Sequence, residues 1–81
     1  MKRVVELYGR LRDAAPAPAV ELELKEGATA ADTLEALKKA LGAKAALLEG
    51  AALASEDAVL AGKDKLPKEG RLAALPPVCG G

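Results

Sequence analysis

The sequence predicts an α+β domain in which one main helix packs on one face of a mixed sheet of about five strands. Residues 19–25 alternate between apolar and charged side chains, which is the period of a half-buried strand. Residues 30–41 instead place apolar side chains three and four positions apart, which is the period of an amphipathic helix. With 81 residues, the chain has room for one domain with a thin core.

The first part of the chain predicts two paired strands. Residues 2–8 are rich in valine and form the first strand, and a loop follows between Gly9 and the Pro16-Ala17-Pro18 stretch. Residues 19–25 form the second strand, with valine and leucine on one side and charged residues on the other. We expect the second strand to pair with the first.

A helix is predicted from Thr29 to Leu41. Thr29 followed by Asp32 is typical of an N-cap with an acidic residue in the first turn, and Gly42 stands where helices commonly end. Four apolar side chains form a stripe that we expect to face the sheet: Ala30, Leu34, Leu37 and Leu41.

The second part of the chain predicts three short strands. Periodicity leaves residues 43–50 open between a helical turn and a short strand. Residues 51–54 and 58–61 flank a polar turn, and each is predicted to form a short strand. A polar loop follows with Leu66 directed inward, and residues 71–75 form the last strand. The predicted order is therefore β-β-α-β-β-β.

Composition argues against several classes of function. Twelve basic residues balance twelve acidic ones, and Tyr8 is the one aromatic residue, so we expect no nucleic-acid binding. A single cysteine and the absence of histidine argue against a metal site or a histidine-based catalytic dyad within this chain. Apolar runs are short and charges begin at Lys2, so we expect no membrane association, no signal peptide and a cytoplasmic location.

The last six residues carry the chemistry that we expect of this chain. The segment Pro76-Pro77-Val78-Cys79-Gly80-Gly81, here called the tail, follows a predicted domain of residues 1–75. Its prolines fix φ and favour an extended course, and its glycines have no Cβ, so they can enter a narrow channel. A terminal glycine carboxylate is also an unhindered acyl group. The alternative interpretation is that these residues are a frayed chain terminus with no chemical role.

Three stretches carry a resemblance to a known family. Residues 75–81, the segment Tyr8-Gly9-Arg10-Leu11-Arg12-Asp13, and residues 26–29 with the following helix start resemble the small subunit of molybdopterin synthase, the molybdopterin-converting factor subunit 1 family. Residues 43–65 match that family poorly. The resemblance implies a ubiquitin-like β-grasp fold and a role as a sulfur carrier.

The family's chemistry implies a non-catalytic subunit that binds no cofactor of its own. A partner adenylating enzyme would use ATP to activate the Gly81 carboxylate, and a sulfur donor protein would convert it to a thiocarboxylate. The large subunit of molybdopterin synthase, in a heterotetramer of two small and two large subunits, would then transfer this sulfur to cyclic pyranopterin monophosphate.

The resemblance also implies which residues meet the partners. Gly80 and Gly81 are the reactive end. The predicted partner contacts are Leu72, Leu75, Pro76, Pro77, Val78, Arg10 and Arg12, although the two arginines are as readily explained as solubilising residues. Cys79 could accept sulfur as a persulfide, but no histidine is present to lower the pKa of its thiol, which favours a bystander.

Alternative functions stay open at this point. The same chemistry serves sulfur carriers for thiamine and for tRNA thiolation, which share Gly-Gly but usually lack Pro-Pro-Val. A ubiquitin-like protein modifier would instead join Gly81 to lysines of other proteins, and a plain interaction module would leave Gly81 unmodified.

Overall fold

The computed structural model describes residues 2–14 and 18–76. In chain order the elements are β1 (Lys2–Leu7), a first 3₁₀ helix (Gly9–Ala14), β2 (Ala19–Glu23), α1 (Ala30–Leu41), a second 3₁₀ helix (Gly42–Leu48), β3 (Ala52–Ala54), β4 (Val59–Leu60) and β5 (Leu72–Leu75). The predicted order of strands and main helix is confirmed. Several strands are one or two residues shorter at an end than predicted.

The strands form one mixed sheet in the order β2-β1-β5-β3-β4. β1 pairs antiparallel with β2, as expected, and parallel with β5. β3 pairs antiparallel with both β4 and β5. The last strand of the chain therefore lies in the middle of the sheet. Among the described residues no helix is long and apolar enough to cross a membrane.

The core lies on the face of the sheet that α1 covers. Alternate residues of β1, including Val5 and Leu7, are buried, and so are Leu53 in β3 and Ala74 in β5. The strand register places these residues opposite one another in neighbouring strands: Leu7 is opposite Ala74, and Ala74 is opposite Leu53. Tyr8, the chain's one aromatic residue, is exposed. The core of the described domain is therefore aliphatic.

The start of α1 is fixed by a reciprocal cap. The Asp32 amide donates to Thr29 Oγ1 at 3.2 Å, and the Thr29 amide donates to Asp32 Oδ2 at 3.0 Å. This capping box satisfies two amides that a helix start leaves without partners. The hydrogen bond from the Thr29 backbone lowers the pKa of Asp32 from its usual 3.8. The predicted N-cap is confirmed.

The helix face toward the sheet agrees with the predicted stripe and adds one residue to it. Ala30 and Leu37 are buried, while Leu34 and Leu41 are partly buried against the core. Thr33 is also fully buried, and its hydroxyl donates to the Thr29 carbonyl at 2.9 Å. This hydrogen bond lets a polar side chain lie in the core, which the apolar pattern alone did not indicate.

Two segments differ from the sequence-based expectation in their local structure. The predicted loop after β1 is a 3₁₀ helix, Gly9–Ala14, because Leu11 turns inward and becomes fully buried. The undecided stretch 43–50 is largely helical as well, in the second 3₁₀ helix, and buries Leu48. In each segment one leucine becomes buried, which sequence periodicity over so few residues does not reveal.

Arg3 is a buried charged residue that the sequence did not single out. Its guanidinium donates to the carbonyls of Pro67 at 2.7 Å and Gly70 at 3.2 Å. These bonds tie the polar loop that precedes β5 to the first strand of the sheet. Hydrogen bonds from a charged donor stabilise more than neutral ones and compensate for the burial of the guanidinium.

Truncation of Leu37 tests the packing of α1. Because this side chain is fully buried between helix and sheet, Leu37→Ala should lower the free energy of unfolding by about 2–5 kcal/mol. Leu34→Ala, at a half-buried position of the same helix, is the control and should cost less. The comparison is made by urea denaturation. Equal losses in the two variants would contradict the described helix face.

The capping box predicts a dependence of stability on pH. Because the pKa of Asp32 is lowered in the folded state, its carboxylate stabilises the fold above pH 3.8, and this contribution is lost as the pH falls through the lowered pKa. Asp32→Asn keeps an acceptor oxygen but no charge. The urea midpoint of the wild type should therefore exceed that of Asp32→Asn at neutral pH, and the gap should close in acid. A gap that is the same at both pH values would show that the charge of Asp32 does not contribute.

Candidate functional site

The tail leaves the domain from the centre of the sheet. β5 lies between β1 and β3, so its backbone has a hydrogen-bonded neighbour on either side. Leu72 and Ala74 of β5 are both fully buried. The Tyr8 amide also donates to the Ala74 carbonyl at 3.2 Å, one residue beyond the end of β1. The strand that leads into the tail is therefore held on both edges and from one face.

Pro76, the first residue of the tail, lies against Gly9. It is half-buried, and a Cβ placed on Gly9 would lie 3.0 Å from its Cγ. Gly9 has a φ of +58°, in the left-handed region, and opens the first 3₁₀ helix. The sequence assigned Pro76 to the tail, but its ring belongs to the surface of the domain.

The face of the sheet away from α1, here called the outer face, is mainly apolar near the tail. It carries the alternate strand residues that do not enter the core. Val4 is 50% exposed and Val59 is 62% exposed on this face. Beside Val59, the strand pairs place smaller or half-buried apolar side chains, namely Ala52, Ala54, Ala73 and Leu75. Val4 instead pairs with Glu21 and is followed on this face by Glu6. This face can meet an apolar surface of another protein.

A small polar cluster borders the outer face. The Tyr8 hydroxyl donates to Glu6 Oε1 at 3.2 Å, and Arg71 Nε lies 3.8 Å from Glu6 Oε2. Arg71 is largely exposed, so the ion pair is screened by water and contributes little to stability. The cluster supplies both charges and a hydroxyl at the edge of an apolar surface, which is the arrangement typical of a polar rim.

Two leucines of β5 that were predicted to contact partners lie on opposite faces of the sheet. Leu75 is half-buried on the outer face, opposite Ala52 in the strand register. Leu72 is fully buried in the core. Side chains of a strand alternate between its faces, and three positions separate these residues, so one of them must point inward. The expectation of a partner contact through Leu72 is corrected: its role in this structure is packing.

The remaining predicted site residues are only partly within the described chain. The Arg12 side chain is exposed and lines a cleft of about 460 Å³ beside Tyr8 and Gly9. The Arg10 side chain and residues 77–81, which include Pro77, Val78, Cys79, Gly80 and Gly81, lie outside the described residues. Their predicted roles stay predictions. Within residues 2–14 and 18–76, no group of three side chains is arranged to hold a metal ion.

A model of the ThiS family matches residues 5–81 of the chain. No curated protein sequence matches it.

Solved structures resemble the chain over almost its whole length. SAMP1 from Haloferax volcanii superimposes with a TM-score of 0.74 at 24% identity, and the match covers 100% of each chain. A putative molybdopterin converting factor, subunit 1, from Pyrococcus furiosus gives 0.74 at 22% identity, with 96% of this chain and 99% of the other covered. At such identities the likeness establishes the fold, and the predicted ubiquitin-like β-grasp architecture is confirmed.

The two faces of β5 predict different responses to truncation. Leu72→Ala should lower the free energy of unfolding by about 2–5 kcal/mol, because it leaves a cavity in the core. Leu75→Ala removes a side chain that already contacts solvent on the outer face, so it should cost less. Urea denaturation of the two variants makes the comparison. If Leu75→Ala were the more damaging change, the assignment of the two faces would be wrong.

Proposed function

Because the chain belongs to the ThiS family, we propose that it carries sulfur as a thiocarboxylate on Gly81. The supporting observation is that the family match extends through residue 81, so it includes the tail as well as the domain. The fold contributes a fixed point of departure for that tail. β5 is paired on both edges and buried at Leu72 and Ala74, so the domain presents the tail from a rigid strand.

The proposed chemistry begins with activation of the terminal carboxylate. A carboxylate resists attack by nucleophiles, because its negative charge is shared by two oxygens. An oxygen of Gly81 attacks the α-phosphorus of ATP on an adenylating enzyme, and pyrophosphate leaves. Hydrosulfide supplied by the sulfur donor then attacks the acyl carbon, the C–S bond forms, the C–O bond to AMP breaks, and AMP leaves a thiocarboxylate on Gly81. ATP is a substrate of the partner, so the chain itself needs no nucleotide site.

For the destination of the sulfur, we favour molybdenum cofactor synthesis. In this proposal the chain is the non-catalytic small subunit of molybdopterin synthase, and the large subunit holds the active site at which cyclic pyranopterin monophosphate receives the sulfur. Two observations support it. The tail has the Pro-Pro-Val sequence before its glycines, and a solved structure with the same fold is a putative molybdopterin converting factor, subunit 1. Sulfur carriage for thiamine or tRNA thiolation is the nearest alternative.

The outer face is the proposed docking surface for these partners. Its apolar part lies around Ala73 and Leu75 and is bordered by the Glu6, Tyr8 and Arg71 cluster. A surface with an apolar centre and a polar rim is suited to association that must later be reversed. Reversal is needed because one carrier has to meet an activating enzyme and a sulfur acceptor in turn.

Protein modification is a second candidate function, and one observation favours it. SAMP1 has the same TM-score of 0.74 to this chain as the molybdopterin-related structure, and a structure of small archaeal modifier protein 1 from H. volcanii gives 0.73. A modifier would use the same acyl-adenylate, but an amine of a lysine would attack the Gly81 carbonyl in place of sulfur. The product would be an isopeptide.

Intact mass spectrometry of the protein isolated from cells separates these functions. A sulfur carrier should show the mass increase that accompanies replacement of one carboxylate oxygen by sulfur. A modifier should instead appear in a ladder of conjugates that react with an antibody to this chain. Loss of the molybdenum cofactor on deletion of the gene would assign the destination of the sulfur.

Shortening the tail by one residue should separate chemistry from docking. Deletion of Gly81 moves the terminal carboxylate back by about 3.3–3.6 Å, whereas a misplacement of about 1 Å can already cost a hundredfold in rate. Thiocarboxylate formation should collapse, as measured by intact mass after incubation with ATP, the adenylating enzyme and a sulfur donor.

The controls for the deletion lie in the same tail and on the outer face. Cys79→Ser keeps the length of the tail and should leave thiocarboxylate formation nearly unchanged, since the Cys79 thiol has no assigned part in the reaction. Binding to the large subunit should weaken only modestly in the deletion variant, because the outer face is intact. A truncated chain that accepted sulfur at a normal rate would refute the proposed role of Gly81.

A further inference from the structure

We propose that Gly9 is a positioning residue: its contact with Pro76 sets the direction in which the tail leaves the domain. The effect on sulfur chemistry rests on the function proposed above, but the effect on direction does not. The contact joins the end of β1 to the end of β5, so it lies between the two strands that define the point of departure.

The geometry at Gly9 crowds any side chain placed there. A Cβ there would lie 3.0 Å from Pro76 Cγ and 3.5 Å from Pro76 Cδ. The shorter distance is tighter than nine in ten real Cβ contacts, so one of the two residues would have to shift by a few tenths of an ångström. Glycine is therefore required at this position for the close approach as well as for its φ of +58°.

The shift would fall on Pro76 and not on the first 3₁₀ helix. That helix is fixed by Leu11, whose side chain is fully buried and whose amide donates to the Tyr8 carbonyl at 3.1 Å. Pro76 is only half-buried and follows the last paired residue of β5. Pro76 is the less constrained of the two residues, so we expect a side chain at position 9 to displace Pro76. This displacement would change the direction in which the tail begins.

A small turn at Pro76 has a large effect at the end of the tail. Proline at positions 76 and 77 fixes φ, so fewer backbone bonds are free to absorb a turn made at Pro76. Five residues lie between Pro76 and the Gly81 carboxyl end, a reach of about 17 Å at full extension. A change of direction at Pro76 therefore moves the average position of the Gly81 carboxylate by more than roughly 1 Å, a displacement that can already lower the reaction rate a hundredfold.

Gly42 provides a matched control for Gly9. Its φ is +57°, against +58° at Gly9, but a Cβ on Gly42 would meet nothing within 4 Å. Gly9→Ala and Gly42→Ala therefore both place an alanine at a positive φ, which L side chains rarely adopt, although Gly42 has a ψ of −118° and so lies outside the left-handed helical region. Only Gly9→Ala adds a contact with Pro76. Any difference between the two variants beyond their shared loss of thermal stability reports on that contact.

The direction of the tail can be measured without any partner. Cys79 is the one cysteine of the chain, so a nitroxide attached to it marks the tail and broadens the amide NMR signals of nearby residues. The labelled wild type and Gly42→Ala should broaden the same set of domain amides, and Gly9→Ala should broaden a shifted set. An identical pattern in all three, or equal changes in both variants, would overturn the proposal.

Changing Pro76 tests the contact from its other side. Pro76→Ala keeps the Cβ, which lies 3.9 Å from a Cβ on Gly9, and removes the crowded ring atom Cγ at 3.0 Å together with Cδ at 3.5 Å. Adding Gly9→Ala to Pro76→Ala should therefore alter the broadening pattern far less than adding it to the wild type. If Gly9→Ala produced the same change in both backgrounds, its effect would not pass through Pro76.

Kinetics links the contact to the proposed chemistry. In ATP–pyrophosphate exchange with an adenylating enzyme that accepts the wild-type chain, Gly9→Ala should lower kcat by about tenfold to a hundredfold. KM should change by less than about twofold, because the outer face is unaltered. Gly42→Ala should keep the wild-type kcat, and a Gly9→Ala chain with normal kcat would overturn the positioning role. If no enzyme exchanges pyrophosphate with the wild type, the proposed function fails, and the nitroxide measurement still decides the role of Gly9.

Discussion

The pairing of β5 with both β1 and β3 is the constraint on which the rest of the molecule depends. β5 comes last in the sequence but lies third in the sheet, so the sheet is incomplete until the end of the chain is in place. Leu72 and Ala74 then close the core between Val5, Leu7 and Leu53, the residues aligned with them in the neighbouring strands. A tail that begins directly after this strand inherits a fixed origin from the most enclosed part of the fold.

The small aliphatic core makes the surrounding polar interactions important. With no aromatic side chain inside the described domain, each buried leucine contributes a modest area, and few of them are present. The Thr29–Asp32 capping box fixes the start of α1, and the Arg3 hydrogen bonds fix the loop that leads into β5. The capping box and the Arg3 hydrogen bonds both lie in segments that connect the strands and the helix. They therefore fix where the chain enters α1 and β5, which contribute side chains to the core.

In the proposed function, docking and reaction use different parts of the molecule: the outer face binds the partners, and the tail carries the reactive group. The outer face offers an apolar surface with a polar border, and the reactive carboxylate of the proposal lies at the end of a tail beyond it. A carrier of this kind leaves the activation of its carboxylate to its partners, where ATP and the donor sulfur are bound. What the domain must supply is a constant relation between the docked surface and the start of the tail, and the close approach of Gly9 and Pro76 provides it.

The sequence by itself determined the strand and helix pattern, because the alternation in residues 19–25 and the capped stripe of α1 are local properties of neighbouring residues. It also identified the tail, since proline and glycine restrict or free the backbone whatever surrounds them. Only the tertiary structure decided that Leu72 points into the core, that Leu11 folds a supposed loop into a 3₁₀ helix, and that Arg3 holds a distant loop. Each of these depends on residues far apart in the chain, and burial is a property of the assembled sheet, which no local pattern of residues contains.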